Sequence, residues 1–326
     1  MARFITKTAL AVVLGATAVC AQDPDQTIVG CVDIGCPAST EDSANDNCTV
    51  AGRSFPYIGV TSIPTTSDAL SGLAWSKGFN ITDSQDEGRR FGSSFYLDTP
   101  AGLDLPQSNT GACAVFFHGV SPFLSFDKDA ATLETTQGTC GTAMGSACVD
   151  ALTKRARDLD VGGATSPKEA CDKLRENLED DMDDACLQIS KGSWSNLTSV
   201  ALTGSGAPEP ITSQQNASSN CWPATEKQDG LTLVSDLQVP GSDLVDDANK
   251  AQFAITPILT LFYPDGEGSL INTTEASLSC IKVMGPSLAS VDTMNNGSAD
   301  ADGAAPILSA PASYFSILVA FVSFIL

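Results

Sequence analysis

Ser76 is the first residue whose setting invites chemistry. It stands in Ala74-Trp75-Ser76-Lys77-Gly78, which differs from the G-x-S-x-G nucleophile elbow by Ala in place of the first Gly. An elbow exposes its serine by turning sharply from a strand into a helix. The residues that follow, Phe79-Asn80-Ile81-Thr82, read instead as strand or loop. His118 is the single histidine, so it alone could act as base, and it ends the apolar run Ala114-Val115-Phe116-Phe117. Carboxylate pairs offer a second chemistry, because glycosidases work with two such groups ~5–10 Å apart. Asp86-Glu87 and Glu179-Asp180-Asp181 provide adjacent carboxylates, but adjacency in sequence is not that geometry. The run Glu176 to Asp184 reads as the wet face of a helix, and it lacks the alternating oxygen ligands and central Gly of a calcium loop.

Trp75, Trp194 and Trp222 are the aromatics with which a sugar could stack, while the phenylalanines lie in apolar runs suited to a core. Arg89-Arg90 could be a dibasic processing site but reads as part of a polar loop. Glycine-rich phosphate loops are absent. There is no Cys-x-x-Cys and only one histidine, so the spacing of a tetrahedral zinc site is missing. No catalytic residue, metal ligand or cofactor is assigned.

The ends of the chain carry addresses. Arg3 and Lys7 precede an apolar run from Ala9 to Val19, and Val19 and Ala21 place small side chains where signal peptidase needs them. Residues 1–21 are therefore expected to be a signal peptide, since the run falls short of the ~20 residues that span a bilayer. At the other end, Tyr314 to Leu326 is apolar and lacks a basic flank, and Asp302-Gly303-Ala304-Ala305-Pro306 lies upstream. Small residues, a spacer and an apolar terminus form the signal for a glycosylphosphatidylinositol (GPI) anchor. Gly303 is the expected attachment residue, with Asn296 or Ser298 as alternatives, and 304–326 the removed propeptide. A membrane span from near Ile307 is the competing reading, and Pro311 counts against it.

A secreted chain carries glycans and disulfides. Sequons fall at Asn47, Asn80, Asn196, Asn216, Asn272 and Asn296; Cys48 lies inside the first. Loss of Cys20 with the signal leaves ten of the 11 cysteines, an even number suited to disulfides. Loss of Arg3 and Lys7 reduces 17 basic residues to 15 against 39 acidic ones, a formal charge of −24. Such a surface excludes nucleic acid as a partner and repels anionic lipid headgroups.

Several elements must position these residues. Ser71–Ile81, Ser93–Asp98, Ala112–Val120, Leu197–Leu202, Leu231–Val239, Ala254–Tyr263 and Ala276–Val283 are short apolar or alternating runs bounded by turn residues, with a further strand in the stretch from Thr49. Tyr263-Pro264-Asp265-Gly266 is a turn of the kind that joins such strands. Between them, Met144, Cys148, Ala151, Leu152 and Leu159 recur at helical spacing, and Ser166-Pro167-Lys168-Glu169 opens a second helix with Cys171, Leu174, Leu178, Met182 and Ile189 on one face. The expected fold is α+β: a mainly β-sandwich-like ectodomain over 22–285 with an inserted, disulfide-linked antiparallel helical hairpin over about 141–189, then a flexible linker over 286–303. Cys171 and Cys186 lie fifteen residues apart on one such helix, about 22 Å, so they cannot pair. With the turn near Gly162-Gly163, residues equidistant from it face each other, which predicts Cys140–Cys186 and Cys148–Cys171 over the crossed choice. Cys113–Cys280 follows as a bridge between strands, with Cys31, Cys36, Cys48 and Cys221 left unassigned.

The signal peptide, paired cysteines, sequons and the tail Tyr314-Phe315-Ser316-Ile317-Leu318 onward together resemble the GPI-anchored secreted glycoproteins of filamentous fungi. The resemblance implies a place at the outer face of the plasma membrane or in the cell wall, with the membrane met through the lipid and wall glycan or surface proteins as partners. A structural, adhesive or binding protein without a catalytic motif is the expectation. The alternative is a wall-remodelling glycoside hydrolase or transglycosylase using a carboxylate pair.

Overall fold

The computed structural model describes residues 27–31, 34, 48–84, 88–127, 133–161, 164–221 and 230–285. The expected signal, linker and tail lie outside these, as do Asp86, Glu87, Gly162, Gly163, Trp222, Cys36, Asn47, Asn296, Ser298 and Gly303. In chain order the elements are β1 (Cys48–Val50), β2 (Arg53–Phe55), β3 (Tyr57–Ser62), β4 (Ala74–Ser84), β5 (Gly88–Thr99), β6 (Thr110–Phe117), α1 (Cys140–Met144), α2 (Ser146–Asp158), α3 (Pro167–Asp180), α4 (Leu187–Ser190), β7 (Leu197–Ala201), α5 (Ser213–Ser218), β8 (Gly230–Pro240), α6 (Val245–Gln252), β9 (Thr256–Pro264) and β10 (Glu275–Ile281).

Two antiparallel four-stranded sheets organise the chain, in the orders β3-β4-β5-β8 and β10-β9-β6-β7. Alternation along the strands separates their faces. Trp75, Phe95 and Leu97 from the first sheet share a buried cluster with Ala112, Ala114, Phe116, Ile258 and Phe262 from the second. Trp75 crosses the interface: its indole packs edge-on against Phe116 with centroids 5.6 Å apart, and its Nε1–H donates to Thr260 Oγ1 at 3.1 Å. The opposite face of the second sheet turns Cys113, Val115, Phe117, Leu259 and Leu261 towards Leu152, Leu174 and Leu178 of the helices. The outer face of the first sheet turns Ala74, Tyr96 and Leu231 towards Val50 and Phe55 of the β1–β2 hairpin. The layers thus run hairpin, sheet, sheet, helices.

Where β3 and β10 meet, the backbones approach so closely that a Cβ on Gly59 would lie 1.8 Å from the Lys282 carbonyl oxygen. Only a residue without a side chain fits there. β4 and β5 run on past the expected strands into an exposed arm, where Asp83 and Arg89 face each other in register and pair at 2.9 Å.

The helical segment departs from its expected form. Gly145, at φ 85°, breaks the first helix into α1 and α2. The second begins as the sequence predicts, with Ser166 Oγ accepting from Glu169 N–H. The Glu169 carboxylate, however, accepts from Thr165 N–H at 2.8 Å rather than from the cap residue. α3 then stops at Asp180 rather than reaching Ile189, and the chain folds through a 3-10 turn, Asp184–Cys186. The six cysteines of this region and its sheet are all disulfide-bonded, but their partners differ from the expected ones. The bonds are Cys113–Cys171, Cys140–Cys280 and Cys148–Cys186. The predicted Cys140–Cys186, Cys148–Cys171 and Cys113–Cys280 fail because the helices pack on a sheet as well as beside each other. Cys171 on α3 thus meets Cys113 on β6, and Cys140 on α1 meets Cys280 on β10. Once α3 ends at Asp180, Cys186 is free of that helix and returns to Cys148 on α2. Cys221 is also disulfide-bonded, and the sulfurs of Cys31 and Cys48 lie 2.6 Å apart.

Candidate functional site: a cleft between two sheet edges

β7 has five residues and β8 eleven. These strands form edges of their respective sheets, and the short one leaves part of the inner face of β5 and β8 uncovered. Two cavities occupy this seam. The larger, about 360 Å3, is lined by Leu97 of β5, Val234 of β8, Leu202 just after β7, and Leu103, Leu105 and Pro208 from loops. Thr99, Thr232 and Asp104 add polar atoms to it. The smaller, about 140 Å3, lies farther along the same strands and is lined by Phe91 and Phe95 of β5, Leu237 and Val239 of β8, Lys77 and His118.

Lys77 and His118 are the titratable groups of the smaller cavity. Trp75, Lys77 and Phe79 share the inward face of β4, so the strand carries the amine between the sheets; Lys77 is 1 % exposed. Its Nζ donates to the Ala254 carbonyl at 2.7 Å and to Thr256 Oγ1 at 3.1 Å. It also stands 5.6 Å from the centroid of the Phe95 ring. Burial, and then the neighbouring cation Lys282, lower its pKa to about 7. His118 begins the 3-10 turn after β6. Its ring stacks on Phe116 at 5.6 Å, and its Nε2 lies 3.1 Å from Thr198 Oγ1. Burial, and then Lys77, push its pKa down to about 4. Lys282, also buried, donates to Leu133 O and to Thr136 Oγ1, and burial lowers its pKa to about 8.

The residues singled out in the sequence are scattered. Ser76 lies mid-strand in β4 at 2 % exposure, and its hydroxyl, without a hydrogen-bond partner, belongs to the face opposite Lys77. No helix follows it, so the elbow is absent. Glu179 pairs with Arg175, and Asp181 pairs with Arg155 at 3.3 Å. The carboxylates with resolved shifts, Asp83, Glu169 and Asp172, are all lowered, chiefly by hydrogen bonds from Arg89, Thr165 and Lys168 respectively. A general acid needs the opposite shift. Trp75 and Trp194 are buried rather than presented as sugar platforms. Arg89 and Arg90 lie in β5, not in a loop. Asn196 and Asn272 are exposed, while Asn80 and Asn216 are half-buried. Among the described residues, no group of three or more His, Cys, Asp or Glu side chains could hold a metal ion.

Sequence reasoning weighed His118 only as a base for Ser76 and overlooked Lys77 as a group in its own right. The signal was an inward lysine in an alternating strand, flanked by Trp75 and Phe79. Comparison with protein-family models, with curated proteins and with solved structures finds no match to this chain.

Proposed function

We propose that the chain is a GPI-anchored glycoprotein of the cell surface or wall that acts by binding a small apolar ligand rather than by catalysis. The larger cavity carries this reading. Its volume of about 360 Å3 lies within the ~300–1,000 Å3 range of small-molecule sites, and leucine, valine and proline dominate its lining. We read the two facing sheets as the sandwich of the ectodomain and α2 with α3 as its inserted hairpin. Gly303, or Asn296 or Ser298 in its place, carries the lipid. The alternative, a wall-remodelling glycoside hydrolase, needs one carboxylate held protonated beside an ionised partner. The Glu179–Asp181 run serves it poorly, because Glu179 and Asp181 are both paired with arginines.

Phospholipase specific for phosphatidylinositol is expected to release the protein from membranes, and truncation before Tyr314 to send it to the medium. The released chain is expected to bind an uncharged solvatochromic dye such as Nile red at one site. Val234→Trp, which fills the cavity, is expected to weaken that binding tenfold or more. Unchanged affinity in the variant rejects the cavity as the site. Turnover of wall glucan or chitin that stops when one carboxylate is changed establishes the glycosidase reading instead.

A further inference from the structure

We propose that Lys77 is a reactive amine that captures small aromatic aldehydes as an imine within the smaller cavity. This inference is independent of the ligand assigned to the larger one. Two N–H bonds of the amine are already spent, on the Ala254 carbonyl and on Thr256 Oγ1. A neutral amine has only those two, so its lone pair takes the remaining tetrahedral direction. Lys77 and both of its acceptors line the cavity, Phe91, Phe95, Leu237 and Val239 supply apolar surface to the rest of its wall, and we place the lone pair towards that space. An amine becomes a nucleophile near neutrality when it is desolvated and set beside another cation. Burial and Lys282 supply these two conditions here.

Size sets the substrate class. An apolar cavity of ~150 Å3 is enough to hold benzene, and this one measures about 140 Å3. A single small ring is therefore the upper limit of what the space admits, with its carbonyl carbon at Nζ, where the new bond forms. Asn196 and Val239, both exposed, mark the mouth of the cavity. The reaction balances without a further reagent. The Nζ lone pair forms a bond to the carbonyl carbon, and the carbonyl oxygen takes up a proton as the nitrogen gives one up. The resulting carbinolamine then expels that oxygen as water, with the second nitrogen proton, as the C=N bond forms. His118 lines the same cavity and is neutral at pH 7, so it adds no competing charge, and solvent at the mouth can carry these protons.

The test uses the full-length protein with benzaldehyde and cyanoborohydride at pH 7, followed by peptide mapping of the reduced adducts. Lys77 is expected to be modified at least tenfold faster than the exposed Lys154 and Lys168. Its rate should rise through the neutral range. Val239→Trp, at the exposed rim, is expected to slow labelling of Lys77 tenfold while leaving the two surface lysines unchanged. Labelling of Lys154 and Lys168 ahead of Lys77 overturns the proposal. So does a Lys77 rate that Val239→Trp leaves untouched, because the amine would then be reached through unfolding rather than through the cavity.

Discussion

His118 carries a titration that can be assigned without ambiguity, because the chain has one histidine. Its folded pKa of about 4 lies below the ordinary 6.5, through burial first and the Lys77 cation second. A base depressed in this way takes up its proton more readily in the unfolded chain. Stability is therefore intact above pH 6.5 and falls as the pH drops from 6.5 towards 4, with a limiting slope of about 1.4 kcal/mol per pH unit. Asp83, Glu169 and Asp172, held below their ordinary values of 3.8, 4.5 and 3.8, add their losses only at lower pH. Between pH 4.5 and 6.5 the denaturation midpoint is expected to slope in the native protein and to be flat in His118→Gln. Equal slopes in both would mean that the ring is solvated in the native state. Lys77 reports at higher pH, since its depressed pKa makes stability rise between about 7 and 10.5.

At the scale of elements, Cys113–Cys171 and Cys140–Cys280 attach the helical layer to the sheet beneath it, while Cys148–Cys186 ties α2 to the turn after α3. Cys140–Cys280 closes a separation of 140 residues and Cys148–Cys186 one of 38. Loop closure alone makes these worth about 5 and 4 kcal/mol respectively. Replacing both cysteines of either pair with serine is expected to lower the melting temperature, and the Cys140/Cys280 pair should lower it more. Non-reducing peptide maps should recover the three observed links. The β elements were legible in the sequence because inward residues such as Trp75, Phe79, Phe95 and Leu97 alternate with outward ones. The arm that extends β4 to Ser84 and starts β5 at Gly88 was not, since its polar residues bury no face that could impose a pattern. The start of α3 was legible from Ser166 and Pro167, its end was not, and that error exchanged the cysteine partners. The cleft was illegible for a different reason: it exists because β7 is shorter than β8, a mismatch between strands that lie far apart in sequence.

The whole molecule is layered, with a covered face on each sheet and an opening along the β7–β8 side. The exposed sequons sit on different parts of it, Asn196 at the mouth of the smaller cavity and Asn272 in the β9–β10 turn. Asn196→Gln and Asn272→Gln are each expected to remove one glycan step on an electrophoretic gel. An unchanged mass for both would leave the proposed glycoprotein without sugar on its most accessible acceptors. The position of β10 also has a mechanical consequence. β10 is an edge strand and the last described element, and the chain continues from it towards the C-terminus. A tug on that end first loads the hydrogen bonds of Gly285 to Glu134 and of Met284 to Ile58, and would then unzip β10 from β9 starting at the Ile281–Thr256 register pair. Cys280 is the next residue in, and its bond to Cys140 halts the zipper after a single step, passing the load to α1. If the proposed lipid anchor holds the chain by this end, the β9–β10 seam resists tearing for as long as its surroundings stay oxidising.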